Sequence, residues 1–112
     1  MNVEAEIFNM ISNAGDAKAI AYEALKLAQN NDFHLANEKL ETANKTLAKA
    51  HNTQTKLIQA EINGERVEQS LLMVHAQDHL MAAISEMSLI EQMIAILRRV
   101  AQLEERSESE SV

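Results

Sequence analysis

Cysteine, proline and tryptophan are absent from this sequence of 112 residues, and glycine occurs only twice. Without cysteine, the chain has neither a disulfide framework nor a thiolate for catalysis or metal binding. Aromatic residues make up only 3% of the chain, and alternating runs of Val, Ile and Thr between turn residues, which are typical of strands, are missing. This composition, rich in alanine, predicts an all-α protein whose helices approach closely through small residues.

Basic residues are also scarce, because 10 Lys and Arg stand against 17 Asp and Glu, for a formal net charge of −7. A negative chain is a poor partner for nucleic acid or for an anionic membrane surface. The N-terminal residues MNVEAEIF lack the basic start and the apolar run of a signal peptide. No uninterrupted apolar segment approaches the roughly 20 residues that span a membrane. We therefore expect a cytoplasmic protein that neither binds nucleic acid nor inserts directly into a membrane.

Three long helical segments follow one another along the chain. The first is expected to begin after Asn2 as N-cap and to end at the polar turn 30–32, where Asp32 can cap the second. The second ends near 63–64, the Asn-Gly turn dipeptide, and the third runs from about Val67 to beyond Leu97.

Short turns between long helices predict an up-down-up antiparallel three-helix bundle. The apolar residues of the second helix recur at steps of three and four, a heptad rhythm that favours nearly parallel or antiparallel packing. We assign residues 1–103 to this single domain. The last residues, 104–112, read EERSESESV and are predicted to be a disordered acidic, serine-rich tail.

The third helix has two apolar faces. At about 100° per residue, one group of side chains lies within roughly 60° of Asp78, and a second group lies on the opposite side. The first group is Val67, Leu71, Val74, Met81 and Ser85, and the second is Met73, Ala76, Leu80, Ala83, Ile84, Met87 and Ile94. Since a three-helix monomer needs only one apolar face, the second predicts contact with another copy of the chain. The alternative is that the monomer's own core wraps most of this helix.

Asp78 lies in the middle of the first of these faces. A carboxylate in an apolar seam must be paired, protonated or bound to a metal ion. If copies of this helix meet around a symmetry axis, their Asp78 carboxylates converge, and a shared cation or shared protons would relieve the repulsion. In the alternative interpretation Asp78 lies at the rim, hydrated or facing Lys or Arg.

His75 and His79 lie one helical turn apart on the flank between the two faces, whereas His34 and His51 occupy ordinary polar positions. The pair could bind a metal, but Ala76 stands where the metalloprotease motif requires Glu. A neutral imidazole on a rigid helix can instead accept a phosphoryl group on nitrogen. A structural histidine with a hydrogen-bonded partner is the third possibility.

The stretch LLMVHAQDHLM (71–81) resembles the core motif of the lactose/cellobiose-type enzyme IIA of the bacterial phosphoenolpyruvate:sugar phosphotransferase system. The segments AGDAKAIAYEAL (14–25) and AHNTQTKLIQAE (50–61) are similar to that family as well. The resemblance extends over about residues 3–100 and leaves out only the tail.

This resemblance implies a three-helix bundle assembled as a homotrimer that carries a phosphoryl group. The histidine matching His75 would take the phosphoryl group from the phosphohistidine carrier protein and pass it to a cysteine of the cognate IIB, during uptake of a β-linked disaccharide of the cellobiose, chitobiose and lactose class. Asp78 from each of three subunits would bind a divalent cation at the trimer axis, for which we expect Mg²⁺. His79 and Gln77 would shape the phosphoryl pocket.

Two other functions remain open at the level of sequence. One is a histidine-phosphotransfer module of two-component signalling, although such modules usually need four helices and this chain offers three. The other is a helical scaffold that binds zinc through His75 and His79.

Overall fold

The computed structural model describes residues 2–110, and this part of the chain folds into three α-helices. They are α1 (Val3–Gln29), α2 (Phe33–Ile62) and α3 (Leu71–Glu110). No strand occurs among these residues, so the predicted all-α class is confirmed. The molecule is a rod with principal extents of 70 × 21 × 17 Å, which matches a bundle of long, side-by-side helices.

The polar residues that were predicted to cap the helices do so. Asn2 Oδ1 accepts a hydrogen bond from the backbone N–H of Ala5 at 3.1 Å, and Asp32 Oδ1 accepts one from Leu35 at 3.4 Å. Each cap satisfies a backbone donor that a helix N-terminus leaves without an intrahelical partner. At the other predicted turn, Gly64 follows the end of α2 with a φ of +92°, a conformation that suits glycine.

The start of α3 differs from the prediction, because the helix begins at Leu71 rather than near Val67 and residues 65–70 are irregular. Ser70 explains the difference: its Oγ accepts a hydrogen bond from the backbone N–H of Met73 at 3.1 Å. The residue before Val67 is Arg66, whose side chain has no acceptor and cannot form such a cap.

The end of α3 also differs from the prediction. The helix continues through 104–110, where the sequence predicted a disordered tail, and residues 111 and 112 lie outside the described part of the chain. Glu and Arg are good helix formers, and neither Gly nor Pro interrupts this segment. The side chains of residues 102–110 are exposed, so local propensity rather than packing extends the helix.

The core consists of two apolar clusters, one at each half of the rod. The first joins the early part of α1 to the end of α2 and the beginning of α3, and its larger members include Met10, Leu57 and Leu80. The second joins the end of α1 to the beginning of α2 and the later part of α3. The first and third helices therefore run in the same direction and the second runs against them, which confirms the predicted up-down-up order.

One face of α3 is covered by none of the residues 2–110. We call it the outward stripe; it comprises Leu71, Val74, Asp78, Met81, Leu89, Met93, Ile96, Val100 and Leu103, all of them exposed. These residues lie within about 60° of Asp78 and extend over roughly 48 Å of helix. The side chains of Leu71 and Ile96, for example, are 86% and 61% exposed. The alternative that the monomer's core wraps most of this helix is therefore wrong.

By length and composition alone, the same helix is long and apolar enough to cross a membrane. The sequence pattern had not predicted this. An 18-residue window of α3 has a mean hydropathy of 1.6, and 28% of that window is buried inside the chain. A core helix with one packed face and one apolar face open to another chain satisfies the same test.

Candidate functional site

His75 and His79 form a stacked pair on the flank of α3 beside the outward stripe. Their ring centroids lie 5.8 Å apart with an interplanar angle of 17°. His75 is exposed, whereas His79 is half-buried. Because the helix fixes both backbones and the stacking limits rotation of both rings, the His75 imidazole is presented to solvent from a rigid support.

Gly15 of α1 faces this pair. A Cβ atom added at Gly15 would lie 3.2 Å from Nε2 of His79, closer than an ordinary van der Waals contact. Glycine in the middle of a helix costs about 1 kcal/mol relative to alanine, so its presence in α1 needs a reason. The structure supplies a reason, since a side chain at this position would push the His79 ring away from α1 by a few tenths of an ångström.

Glu86 continues the same flank of α3 two turns beyond His79. Its Oε1 accepts a hydrogen bond of 2.5 Å from the hydroxyl of Tyr22, and its Oε2 lies 3.3 Å from Nζ of Lys18. The hydrogen bond from Tyr22, followed by the hydrogen bond and the positive charge of Lys18 and a weaker attraction to His79, holds the pKa of the Glu86 carboxyl below its usual value. The same hydrogen bond raises the pKa of Tyr22.

The sequence analysis missed the contribution of Lys18, Tyr22 and Glu86. A signal was present, because Lys18 and Tyr22 follow Gly15 by three and seven residues and thus share its face of α1. Glu86 follows His79 by seven residues and shares its flank of α3. Nothing in the sequence, however, indicates that these two faces meet.

Gln77 does not join the histidines within one chain. It lies on the described helix about 160° around the axis from His75, on the other side of the outward stripe. Asp78 lies in the stripe itself and is exposed, as its position in the pattern predicted. The structure thus brings His75 and His79 together and separates both of them from Gln77.

A metal site is not complete in a single chain. Over residues 2–110 no group of three or more His, Asp or Glu side chains is arranged to hold a metal ion. Structural zinc takes four protein ligands and catalytic zinc usually three, so the pair His75 and His79 does not suffice. One Asp78 carboxylate is likewise too few for Mg²⁺ or Ca²⁺ without ligands from other copies.

The other two histidines lie outside the site, as predicted. Both His34 and His51 are exposed on α2, and Nε2 of His34 lies 3.2 Å from the carboxylate of Glu38. At His75 the structure shows an exposed imidazole on a long helix, with the ring of His79 stacked beside it.

Known proteins are similar to this chain in sequence and in fold. Residues 5–98 match the family described as the PTS system, lactose/cellobiose specific IIA subunit. The chain is 41% identical over 104 residues to the lichenan-specific phosphotransferase enzyme IIA component of Bacillus subtilis (strain 168), covering 91% of this chain and 94% of that relative.

Solved structures agree with these sequence matches. The PTS cellobiose-specific enzyme IIA from Bacillus anthracis superposes with a TM-score of 0.87 at 37% identity, over 91% of this chain and 94% of that one. The chitobiose IIA of Escherichia coli, solved in complex with HPr, gives a TM-score of 0.79 at 34% identity, over 90% of this chain and 98% of that one.

Proposed function

We propose that this chain, which belongs to the lactose/cellobiose-specific IIA family of the phosphotransferase system, carries a phosphoryl group on His75. The group would come from the phosphohistidine carrier protein and leave to a cysteine of the cognate IIB. The observation that carries the proposal is the exposed His75 imidazole, stacked on His79, which in turn lies against Gly15. The chitobiose relative was solved bound to HPr, which supports the choice of donor.

The transfer consists of two in-line displacements. A ring nitrogen of neutral His75 attacks the phosphorus, its lone pair forms the new N–P bond, and the N–P bond to the carrier's imidazole breaks. In the second step the thiolate of IIB attacks, an S–P bond forms, and His75 leaves as neutral imidazole. The transition state is loose, so positioning and hydrogen-bond donors for the equatorial oxygens do most of the catalysis. We assign the role of donor to His79, whose ring lies stacked beside that of His75.

Direct labelling tests this function. The purified protein is incubated with phosphoenolpyruvate, enzyme I and the carrier protein, and it should acquire one acid-labile phosphate per chain that passes to the cognate IIB. Phosphohistidine is hydrolysed by acid, which distinguishes it from a phosphoserine on the C-terminal segment. An unlabelled wild-type protein in the presence of labelled carrier would overturn the proposal.

We further propose that three copies assemble through the outward stripe with a divalent cation, expected to be Mg²⁺, among their Asp78 carboxylates. Burial of an apolar face about 48 Å long favours association, and Leu71, Ile96 and Leu103 are its most exposed side chains. Three converging carboxylates repel one another, and a cation with oxygen ligands offsets that repulsion.

Asp78→Leu is expected to retain or strengthen the assembly while removing its metal. The variant replaces repelling charges by an apolar side chain that continues the stripe. Analytical ultracentrifugation measures the assembly and elemental analysis measures the metal. Asp16→Leu, at an exposed position of α1, is the control that should keep both. A monomeric wild type would contradict the assembly, and metal retained by Asp78→Leu would contradict the shared site.

Gln77 is expected to serve the His75 of a neighbouring copy. Around a threefold axis through the stripe, the flank that carries Gln77 faces the next chain's opposite flank, which carries His75 and His79. Chains with His75→Ala and chains with Gln77→Ala, mixed and refolded together, should therefore transfer phosphate faster than either alone, because some interfaces combine an intact His75 with an intact Gln77. Rates equal to the average of the two separate variants would exclude a shared pocket.

The transported sugar is proposed to be a β-linked disaccharide of the cellobiose, chitobiose and lactose class. The relatives described above carry names that refer to lichenan, cellobiose and chitobiose at similar identity, which supports the class rather than one sugar. We propose a cytoplasmic location, where the carrier protein and the thiol of IIB meet the chain.

A further inference from the structure

Many small side chains line α1 and α3 near the level of the histidines, next to the larger buried side chains of Leu80 and Met87. Ala14, Ala17 and Ala21 of α1 and Ala76 and Ala83 of α3 are all fully or almost fully buried. Larger side chains interlock as ridges and grooves and thereby set how two helices are rotated against each other. The alanine part of this contact is flat, and interlocking across it is left to larger side chains such as Leu80 and Met87.

A polar connection compensates for this flat contact. Tyr22 and Lys18, one turn apart on α1, both bind the carboxylate of Glu86, at 2.5 Å and 3.3 Å respectively. We call this arrangement the Glu86 clamp. The two α1 residues hold separate oxygens of one carboxylate, so they tie this point of α3 to α1 twice. The Lys18 and Glu86 side chains are about one-third exposed, at 31% and 36%, so the ion pair is partly shielded from water.

A small rotation would matter at the histidines. Side chains of an α-helix end about 5–6 Å from its axis, so a 20° rotation moves their tips by roughly 2 Å. A displacement of about 1 Å in a reacting group can cost a factor of 100 in rate. The contact between His79 and Gly15 leaves equally little room for a displacement of the ring, because a Cβ at position 15 would already lie 3.2 Å from the ring nitrogen.

We propose that Glu86 is a positioning residue for phosphoryl transfer: clamped by Tyr22 and Lys18, it sets the rotation of α3 so that His79 stays against Gly15 and presents His75 in the reactive geometry. The inference rests on the proposed function of His75. Glu86 itself touches neither the phosphoryl group nor its acceptor nitrogen and acts only through the helix and His79.

Tyr22 provides a direct signal for the clamp, because it is the only tyrosine and the chain has no tryptophan. The carboxylate of Glu86 raises the pKa of Tyr22 above its ordinary value of 10.0. Titration of the tyrosinate by ultraviolet absorbance should therefore show a pKa that falls back towards 10.0 in Glu86→Ala. An identical Tyr22 titration in wild type and Glu86→Ala would show that the clamp does not form.

Glu91→Ala is the matched control for the transfer experiment. Glu91 accepts a hydrogen bond from Nδ2 of Asn44 at 3.3 Å and links α3 to α2 rather than to α1. Removing it deletes the same kind of side chain and a similar polar link, away from the histidines.

The rate of transfer from phosphorylated carrier is then measured for each variant. Glu86→Ala should lower the maximal rate at least about tenfold with little change in the KM for the carrier, while Glu91→Ala stays within twofold of wild type. Glu86→Gln should recover much of the loss, since its amide oxygen still accepts from Tyr22. Equal rates in Glu86→Ala and Glu91→Ala, or a Glu86→Gln rate no better than that of Glu86→Ala, would overturn the proposal.

The imidazole resonances of His75 and His79, followed by NMR, keep this proposal separate from the proposed function. They should shift in Glu86→Ala and largely recover in Glu86→Gln, which also lacks the charge but keeps the acceptor for Tyr22, and they should not shift in Glu91→Ala, whether or not phosphate is transferred. If the wild type is never phosphorylated, the function fails while the clamp is still judged by these resonances. Unchanged resonances in Glu86→Ala, in a protein that is phosphorylated, would refute the clamp alone.

Discussion

His75→Ala is expected to abolish acid-labile phosphorylation completely, because the variant lacks the nitrogen that forms the N–P bond. No other group replaces it: His79 is half-buried with Nε2 turned to α1, and His34 and His51 lie on α2. The measurement is incorporation of phosphate from phosphoenolpyruvate through enzyme I and the carrier protein. A variant that only misplaced the His75 ring would be labelled more slowly. Complete loss, from one phosphate per chain to none, is a far larger effect.

His34→Ala is the control for this variant. His34 is exposed and paired with Glu38, so its removal should leave phosphorylation unchanged. Both substitutions lie on exposed positions of helices and should alter the free energy of unfolding by no more than about 0.5 kcal/mol, measured by denaturant titration. Labelled His75→Ala protein, or loss of label in His34→Ala, would place the phosphoryl group elsewhere.

Gly15→Ala is expected to slow phosphoryl transfer at least about tenfold without lowering the stability of the fold. Alanine favours the helix by about 1 kcal/mol over glycine, which offsets the cost of local crowding. The new Cβ, at 3.2 Å from Nε2 of His79, forces the ring to move by a few tenths of an ångström and disturbs its stacking on His75. Transfer kinetics and denaturant titration on the same samples separate the two effects.

Gly64→Ala should show the opposite pattern. Gly64 has a φ of +92° and no atom within 4 Å of the added Cβ, so alanine there strains the backbone without touching the site. The free energy of unfolding should fall by about 1–2 kcal/mol while the transfer rate is preserved. If Gly15→Ala transferred phosphate as fast as wild type, close approach of His79 to α1 would not matter for the reaction.

Much of this protein is determined locally, and the sequence alone was sufficient there. The helix caps at Asn2 and Asp32 and the turn at Gly64 depend on neighbouring residues, so they were predicted correctly. The two faces of α3 follow from a helical period that is the same in every helix. The exposure of His75 and Asp78 was predictable for the same reason, and so was the separation of Gln77 from His75, although that consequence was not drawn.

The sequence was less reliable where two local tendencies compete. The start of α3 depends on whether Ser70 or an earlier residue supplies a cap, and the pattern of apolar residues favoured Val67. At the other end, an acidic serine-rich composition favoured disorder, while the helix propensity of Glu and Arg extends α3 to Glu110.

The surroundings of the site were decided by the tertiary structure. Gly15 and His79 meet, and Tyr22 bonds to Glu86 across 64 residues of sequence, because α1 and α3 run side by side in the same direction. Sequence periodicity places a residue on a face of its own helix but carries no information about which residue of another helix lies opposite. That pairing depends on how the alanine-lined surfaces of the two helices pack against each other. His75 could therefore be singled out from the sequence, whereas the residues of α1 that contact its neighbours could be identified only in the folded chain.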